Sequence, residues 1–143
     1  MSPEARMKKR LLDRSKGLWL VDSVESHSTA TGIPDLAWAA FNVFGWTELK
    51  SIKTLSPVVK VPVRPAQRGW LTTRWKRVQR CWVLVEVQDE ETLYLFQGKD
   101  ADALVRVDRA RFQDLKIWHC KWSELSPAYL IWTMAGKPHA HKE

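Results

Sequence analysis

Gly32-Ile33-Pro34-Asp35-Leu36 and, nine residues further on, Gly45-Trp46-Thr47-Glu48-Leu49-Lys50 decide the reading of this chain. The first segment sets an acid directly after a Gly/Pro turn. The second sets an acid and a lysine on either side of one apolar residue. Side chains at i and i+2 of a strand share a face, so Glu48 and Lys50 project together while Leu49 packs on the opposite side. A neighbouring strand beginning at Asp35 brings a second carboxylate beside them. Two carboxylates offer the hard oxygen donors that Mg²⁺ prefers, and a nearby ammonium can hold a water or steady negative charge. That combination suits hydrolysis of a phosphodiester.

Working outward, Ser2 predicts a helix cap, with Pro3 in the first helical position and Glu4 facing the positive end of the dipole. Met7, Leu11 and Leu12 form a narrow apolar stripe among Lys8, Lys9, Arg10 and Arg14, and Gly17 ends the helix. Its basic side reads either as a solvated face or as a DNA contact. Leu18 to Glu25 is a dense β-favouring run, 26–32 a polar loop, Pro34 to Phe41 a second strand and Phe44 to Ile52 a third, with the turn at Asn42 closing a hairpin that sets Asp35 near Glu48. Residues 53–63 read as an extended connection.

From Arg64 to Gln79 the spacing changes to helical, with Trp70, Leu71, Trp75 and Val78 as the apolar positions. The span from Arg64 to Arg80 contains Arg64, Arg68, Arg74, Lys76, Arg77 and Arg80 and no acid. Such a helix repels itself unless something negative lies beside it, so these six residues are the candidate nucleic-acid contacts, the plainer reading being a solvated basic face. Trp82 to Val87 predicts a buried strand and Thr92 to Phe96 another. Beyond Gly98 the expectations are one short helix within Asp100–Asp114, a strand over Ile117–Trp122 and a closing helix or strand over Ser126–Met134. The domain is expected to occupy residues 1–135, with 136–143 a mobile tail.

Composition agrees with a globular domain: 45% of residues are hydrophobic and 27% charged, a balance that disordered chains lack. A net charge of +7 favours a polyanionic partner. Nine tryptophans are expected mostly in the core or on a sheet face, with any exposed ones available for base stacking or a subunit contact. Cys81 and Cys120 form no disulfide framework and, with His119, lack the spacing of a zinc site. No signal sequence or membrane-spanning run is read, so a cytoplasmic protein without a membrane partner is expected.

Pro34-Asp35, Glu48 and Lys50 together resemble the motif of the PD-(D/E)XK nuclease superfamily. The surrounding wording looks closest to small phage and VRR-type nucleases and, more distantly, to Holliday-junction resolvases. The resemblance spans roughly residues 25–98. It implies an α/β restriction-endonuclease-like core, an αβββαβ mixed central sheet flanked by helices, which is the element order already read from periodicity with one strand added. It further implies a Mg²⁺-dependent DNA endonuclease, with Mn²⁺ able to substitute, selective for branched or junction-like DNA in phage-type metabolism and working in the host cytoplasm if phage-encoded. Asp35, Glu48 and the backbone carbonyl of Leu49 would hold the metal, and Lys50 would orient the water or stabilise developing charge. Related nucleases often carry a further glutamate, frequently on the first helix. Here Glu25 is favoured over Glu4 and Asp13 because it lies at the strand-end level of the other acids. Arg64-Pro65-Ala66-Gln67-Arg68-Gly69-Trp70 resembles the family's Gln-x-x-Trp segment, giving Gln67 a site role or, on the plainer reading, an exposed helix position. A resolvase implies a homodimer. The competing function is a non-catalytic DNA-binding or virion-associated structural protein with the same fold, and RNA as the partner ranks last.

Overall fold

The structure, a computed structural model, describes residues 1–24 and 32–137. Glu25, most of the expected loop over 26–32 and the tail residues 138–143 lie outside the described residues.

Helix α1 spans Pro3–Arg14. The Ser2 hydroxyl accepts from the Ala5 amide at 3.1 Å, and Gly17 follows at φ +83°. Met7 and Leu11 are buried and Leu12 is half-buried, so the stripe is narrow, as the sequence implies. Strands β1 (Leu20–Ser23), β2 (Leu36–Ala40) and β3 (Val43–Ile52) form an antiparallel meander. The β2–β3 turn places Phe41 at φ +51° and Asn42 at φ +66°, the pair of left-handed residues whose twist suits a tight hairpin. Asn tolerates that conformation. Phe41 is held in it with its ring edge-on to Trp132 at 4.8 Å.

The connection over 53–63 includes a two-residue strand, β4 (Val58–Val59), and leads to helix α2 (Pro65–Val78). The chain then returns as β5 (Cys81–Val87), parallel to β3, with Glu48 opposite Val83 and Lys50 opposite Val85. All seven β5 residues are buried, as the continuous apolar run requires. β6 (Thr92–Gln97) pairs antiparallel with β5. After it come α3 (Ala101–Leu104), β7 (Val107–Asp108), α4 (Arg109–Leu115), β8 (Trp118–Lys121) and α5 (Pro127–Met134). The single helix expected within 100–114 is thus two short ones, interrupted where β7 pairs with β4. Asp108 restarts the helix by accepting from the Arg111 amide at 2.8 Å. The ambiguous final segment is a helix, started by Ser126 and Pro127.

The central sheet has six strands in the order β1-β2-β3-β5-β6-β8. A buried cluster covers each face. On one lie Leu71 of α2, alternate residues of β5 and Phe112 of α4. On the other lie Met7 and Leu11 of α1, Leu49, Leu84, Trp122 and Met134. This is the mixed sheet with flanking helices that the motif predicted. Of the tryptophans, Trp38, Trp82 and Trp122 are buried and the other six are half-buried, fewer in the core than expected.

Candidate active site

β3 sorts its side chains by parity. Leu49 packs into the α1-side cluster while Trp46 packs on the α2 side, which puts Glu48 and Lys50 on the α2 side with Trp46. The β2–β3 ladder ends at the Leu36–Thr47 pair, so the next backbone donors on β3 need other partners. Asp35 supplies one: its Oδ2 accepts from the Leu49 amide at 2.9 Å. In return, Glu48 Oε1 accepts from the Asp35 amide at 3.2 Å. Each acid thus binds backbone beside the other acid, and the two carboxylates are held as neighbours.

Glu48 is 1% exposed. Its other oxygen, Oε2, accepts from Gln67 Nε2 at 2.7 Å and faces Lys50 Nζ at 3.3 Å. Lys50 is buried as well. The Gln67 amide cannot be turned round without loss, because its Oε1 accepts from the Arg64 amide at 2.9 Å and so satisfies an orphan donor at the start of α2. One glutamine both caps a helix and fixes the Glu48 carboxyl group. Burial pushes the Glu48 carboxyl up to about 8, the Asp35 charge adds to the rise, and Lys50 offsets part of it.

Gly32 explains the turn that opens the first motif. It sits at φ +66°, and any Cβ there would collide with the Ala66 carbonyl at the start of α2. Only glycine lets the chain entering Asp35 lie against the helix that carries Gln67.

The acid that the sequence did not favour is also near. Glu4, in the first turn of α1, lines a small cleft with Lys8, Asp35 and Leu49. Burial raises its carboxyl, Lys50 lowers it, Asp35 raises it, and the Ser51 backbone donates to it. Chain position gives no hint of this, since thirty residues separate Glu4 from Asp35. The usable signal was the family tendency to place a glutamate on the first helix. Asp13 instead pairs with Lys9 at 2.8 Å.

The six basic residues of the α2 segment do not share one fate. Arg64, Arg74, Lys76 and Arg77 are exposed. Arg68 pairs with Asp102 of α3 at 3.0 Å and donates to the Val63 carbonyl, an acidic neighbour that the local sequence does not contain. Arg80 reaches the Ala135 carbonyl at 3.4 Å. Both cysteines are free thiols whose titration burial pushes up to about 11.

Among the described residues no group of three or more His, Cys, Asp or Glu is arranged to hold a metal ion. The Asp35–Glu48 pair nevertheless has the donor chemistry for Mg²⁺, which needs only one or two protein carboxylates and keeps several waters. A buried carboxyl raised to about 8 beside a second carboxylate is also a site that a divalent cation would relieve.

No protein-family model and no curated protein matches the chain. Among solved structures, Hjc, a Holliday junction resolvase from the archaeal hyperthermophile Archaeoglobus fulgidus, superimposes over 87% of this chain and 98% of its own, with a TM-score of 0.52 and 14% identity. The chain therefore has the fold of that resolvase, the restriction-endonuclease-like architecture that the motif implied. Among the described residues no helix is long and apolar enough to cross a membrane.

Proposed function

We propose that this protein is a metal-dependent nuclease that hydrolyses phosphodiester bonds in DNA, with a preference for branched structures. The observation that carries the reading is the Glu48 carboxylate, buried beside Asp35 and clamped between Lys50 and Gln67. Binding alone does not call for it. Burying an ionisable carboxyl beside Asp35 costs free energy, and once both are ionised the pair repels DNA unless a cation intervenes.

Asp35, Glu48 and the Leu49 carbonyl would hold the ion, Mg²⁺ or in its place Mn²⁺. A bound divalent cation supplies polarisation of the phosphate and a water of lowered pKa. Gln67 keeps Glu48 in one orientation. Lys50, on the same strand face as Glu48, orients a water or stabilises charge on the phosphate oxygens. Glu4, which lines the cleft with Asp35, is a further acid for a second cation or a water. The exposed cations of α2 grip the sugar-phosphate backbone. Preference for branches rests on the fold shared with a junction resolvase, and a homodimer would present two such centres to two strands.

The test is incubation of a plasmid and of a four-way junction with Mg²⁺. Native protein should cut, with the junction preferred. Asp35→Ala, Glu48→Ala and EDTA should each reduce cutting by about 10³-fold or more, since each removes several kcal/mol of charge stabilisation. DNA bound but never cut, with folded protein and Mg²⁺ or Mn²⁺ present, would leave the non-catalytic DNA-binding reading in its place.

A further inference from the structure

The face of β3 that carries Glu48 and Lys50 continues backwards to Trp46 and Phe44, two and four residues before Glu48. Strand register sets what lies beside them. Asp22, Ala37 and Trp46 form one cross-strand row, and Leu20, Ala39 and Phe44 the next. Residues directly opposite across a ladder project to the same face. The middle strand therefore contributes only two methyl groups between larger neighbours on both sides. The result is an open trough of about 280 Å³ lined by these six residues together with Trp38 and Gly45. Leu20 is 73% exposed and Phe44 62% exposed, so no other part of the described chain covers them.

We propose that this trough receives an unpaired nucleobase of a DNA substrate next to the point of cleavage. The inference rests on the nuclease reading for its DNA and goes beyond it by naming the feature of the DNA that is recognised. The floor and one wall are apolar and aromatic, which suits the face of a base. Asp22 offers only acceptor oxygens, which suit the amino edge of a base and repel a phosphate. A nucleotide there must turn its base inward and its phosphate away.

The phosphate has a place to go. Trp46 meets Trp70 of α2 edge-to-face at 5.3 Å, and the Arg74 guanidinium lies over Trp70 at 4.7 Å. The aromatic wall thus leads within two ring contacts to the exposed cations of α2. The same charges argue against a second copy of the chain as occupant. Pairing this face with itself would bring two basic helices together in a protein of net charge +7. A fully paired duplex cannot use the trough, because its bases are stacked. A branch point, bulge or frayed end can.

The experiment compares two duplexes of equal length at one salt concentration in EDTA, one fully paired and one with a single unpaired 2-aminopurine. Native protein is expected to bind the second about tenfold more tightly and to quench the probe by stacking. Phe44→Ala and, separately, Leu20→Ser should bring the two affinities within about twofold of each other, with circular dichroism melting as the check on folding. Equal affinities in the native protein, or a preference that survives both substitutions, overturns the trough. So does light scattering in which native dimers become monomers on Phe44→Ala, which would assign the face to a second copy. Cleavage in Mg²⁺, read separately, keeps the two claims apart. A protein that cuts but shows no unpaired-base preference loses only the trough, and one that shows the preference but never cuts loses only the nuclease.

Discussion

α1 and α2 are both basic helices against the same sheet, yet they use their charge in opposite ways. On α1, Lys9 pairs with Asp13, Arg10 meets Glu91 at 3.3 Å and lies over the Trp122 ring, and Arg14 donates to the carbonyls of Trp122 and Leu125. Its cations are largely occupied within the molecule. On α2 and its cap, Arg64, Arg74, Lys76 and Arg77 have no carboxylate within ion-pair distance among the described residues. The buried faces differ too: α1 inserts Met7 and Leu11, whereas α2 inserts Leu71 and the amide of Gln67. One helix holds the fold together. The other holds Gln67 against Glu48 and presents exposed cations, which on the proposed reading meet the DNA. A count of lysines and arginines would have ranked them equal.

That contrast can be broken experimentally. The largest effect belongs to α1. Leu11→Ala opens a void in the packed layer and should cost about 2–5 kcal/mol in urea unfolding, while cleavage per folded molecule, assayed well below the melting temperature, stays close to native. A comparable loss of specific activity would erase the division between the helices. Next is Gln67→Ala on α2. It should lower cleavage about 10–100-fold, as loss of a group that orients a metal ligand does, with little change in unfolding midpoint beyond the lost cap. Native activity in this variant would return Gln67 to a plain helix position.

Titration sharpens the comparison from the site outward. The folded Glu48 carboxyl keeps its proton to about pH 8, against 4.5 ordinarily. Between those values the folded state binds the proton that the unfolded chain has released, so stability falls as pH rises through the window and is level above it. The limit is about 1.4 kcal/mol per pH unit from this one group. In EDTA the native melting temperature should therefore drop relative to Glu48→Gln from pH 5 to 8, and Mg²⁺ should recover it at pH 8. Parallel curves for the two proteins would show that Glu48 does not carry the raised pKa. The smallest effect is in the salt dependence of DNA binding. Removing Arg74, Lys76 or Arg77 one at a time should each reduce the slope of log K against log salt by about 0.9. Removing Lys9 of α1 should leave it unchanged, and equal slopes for both helices would erase the distinction in charge use.

Much of this architecture is legible without coordinates, for identifiable reasons. The hairpin from 36 to 52 and the buried run over 81–87 carry strong periodic or continuous apolar signals. The site motif is local within each strand, so Asp35, Glu48 and Lys50 could be paired by register alone. What escaped depends on contacts distant in sequence. Glu4 joins the site only because Met7 and Leu11 press α1 against β3. Asp102 neutralises Arg68 from a helix of four residues, too short to leave a pattern. The helical spacing of Trp70, Leu71, Trp75 and Val78 suggested one buried stripe, but only Leu71 is fully covered. Trp70 and Trp75 instead meet other rings at the margin, Trp46 and Trp82 respectively. Periodicity finds which residues share a side, and it does not say how far the sheet extends beneath them.

The parallel pairing of β3 with β5 has a consequence for the chain while it is still being made. Asp35 and Glu48 come together through a two-residue turn, a closure available as soon as that hairpin has emerged. The Gln67 amide reaches Glu48 only after the connector over 53–63 has carried α2 onto the sheet. A half-synthesised molecule thus exposes two facing acids with neither amide nor covering helix, a poor seat for a cation. The full arrangement of Asp35, Glu48 and Gln67 is deferred until the crossover closes, so the activity proposed for it would carry a built-in latency.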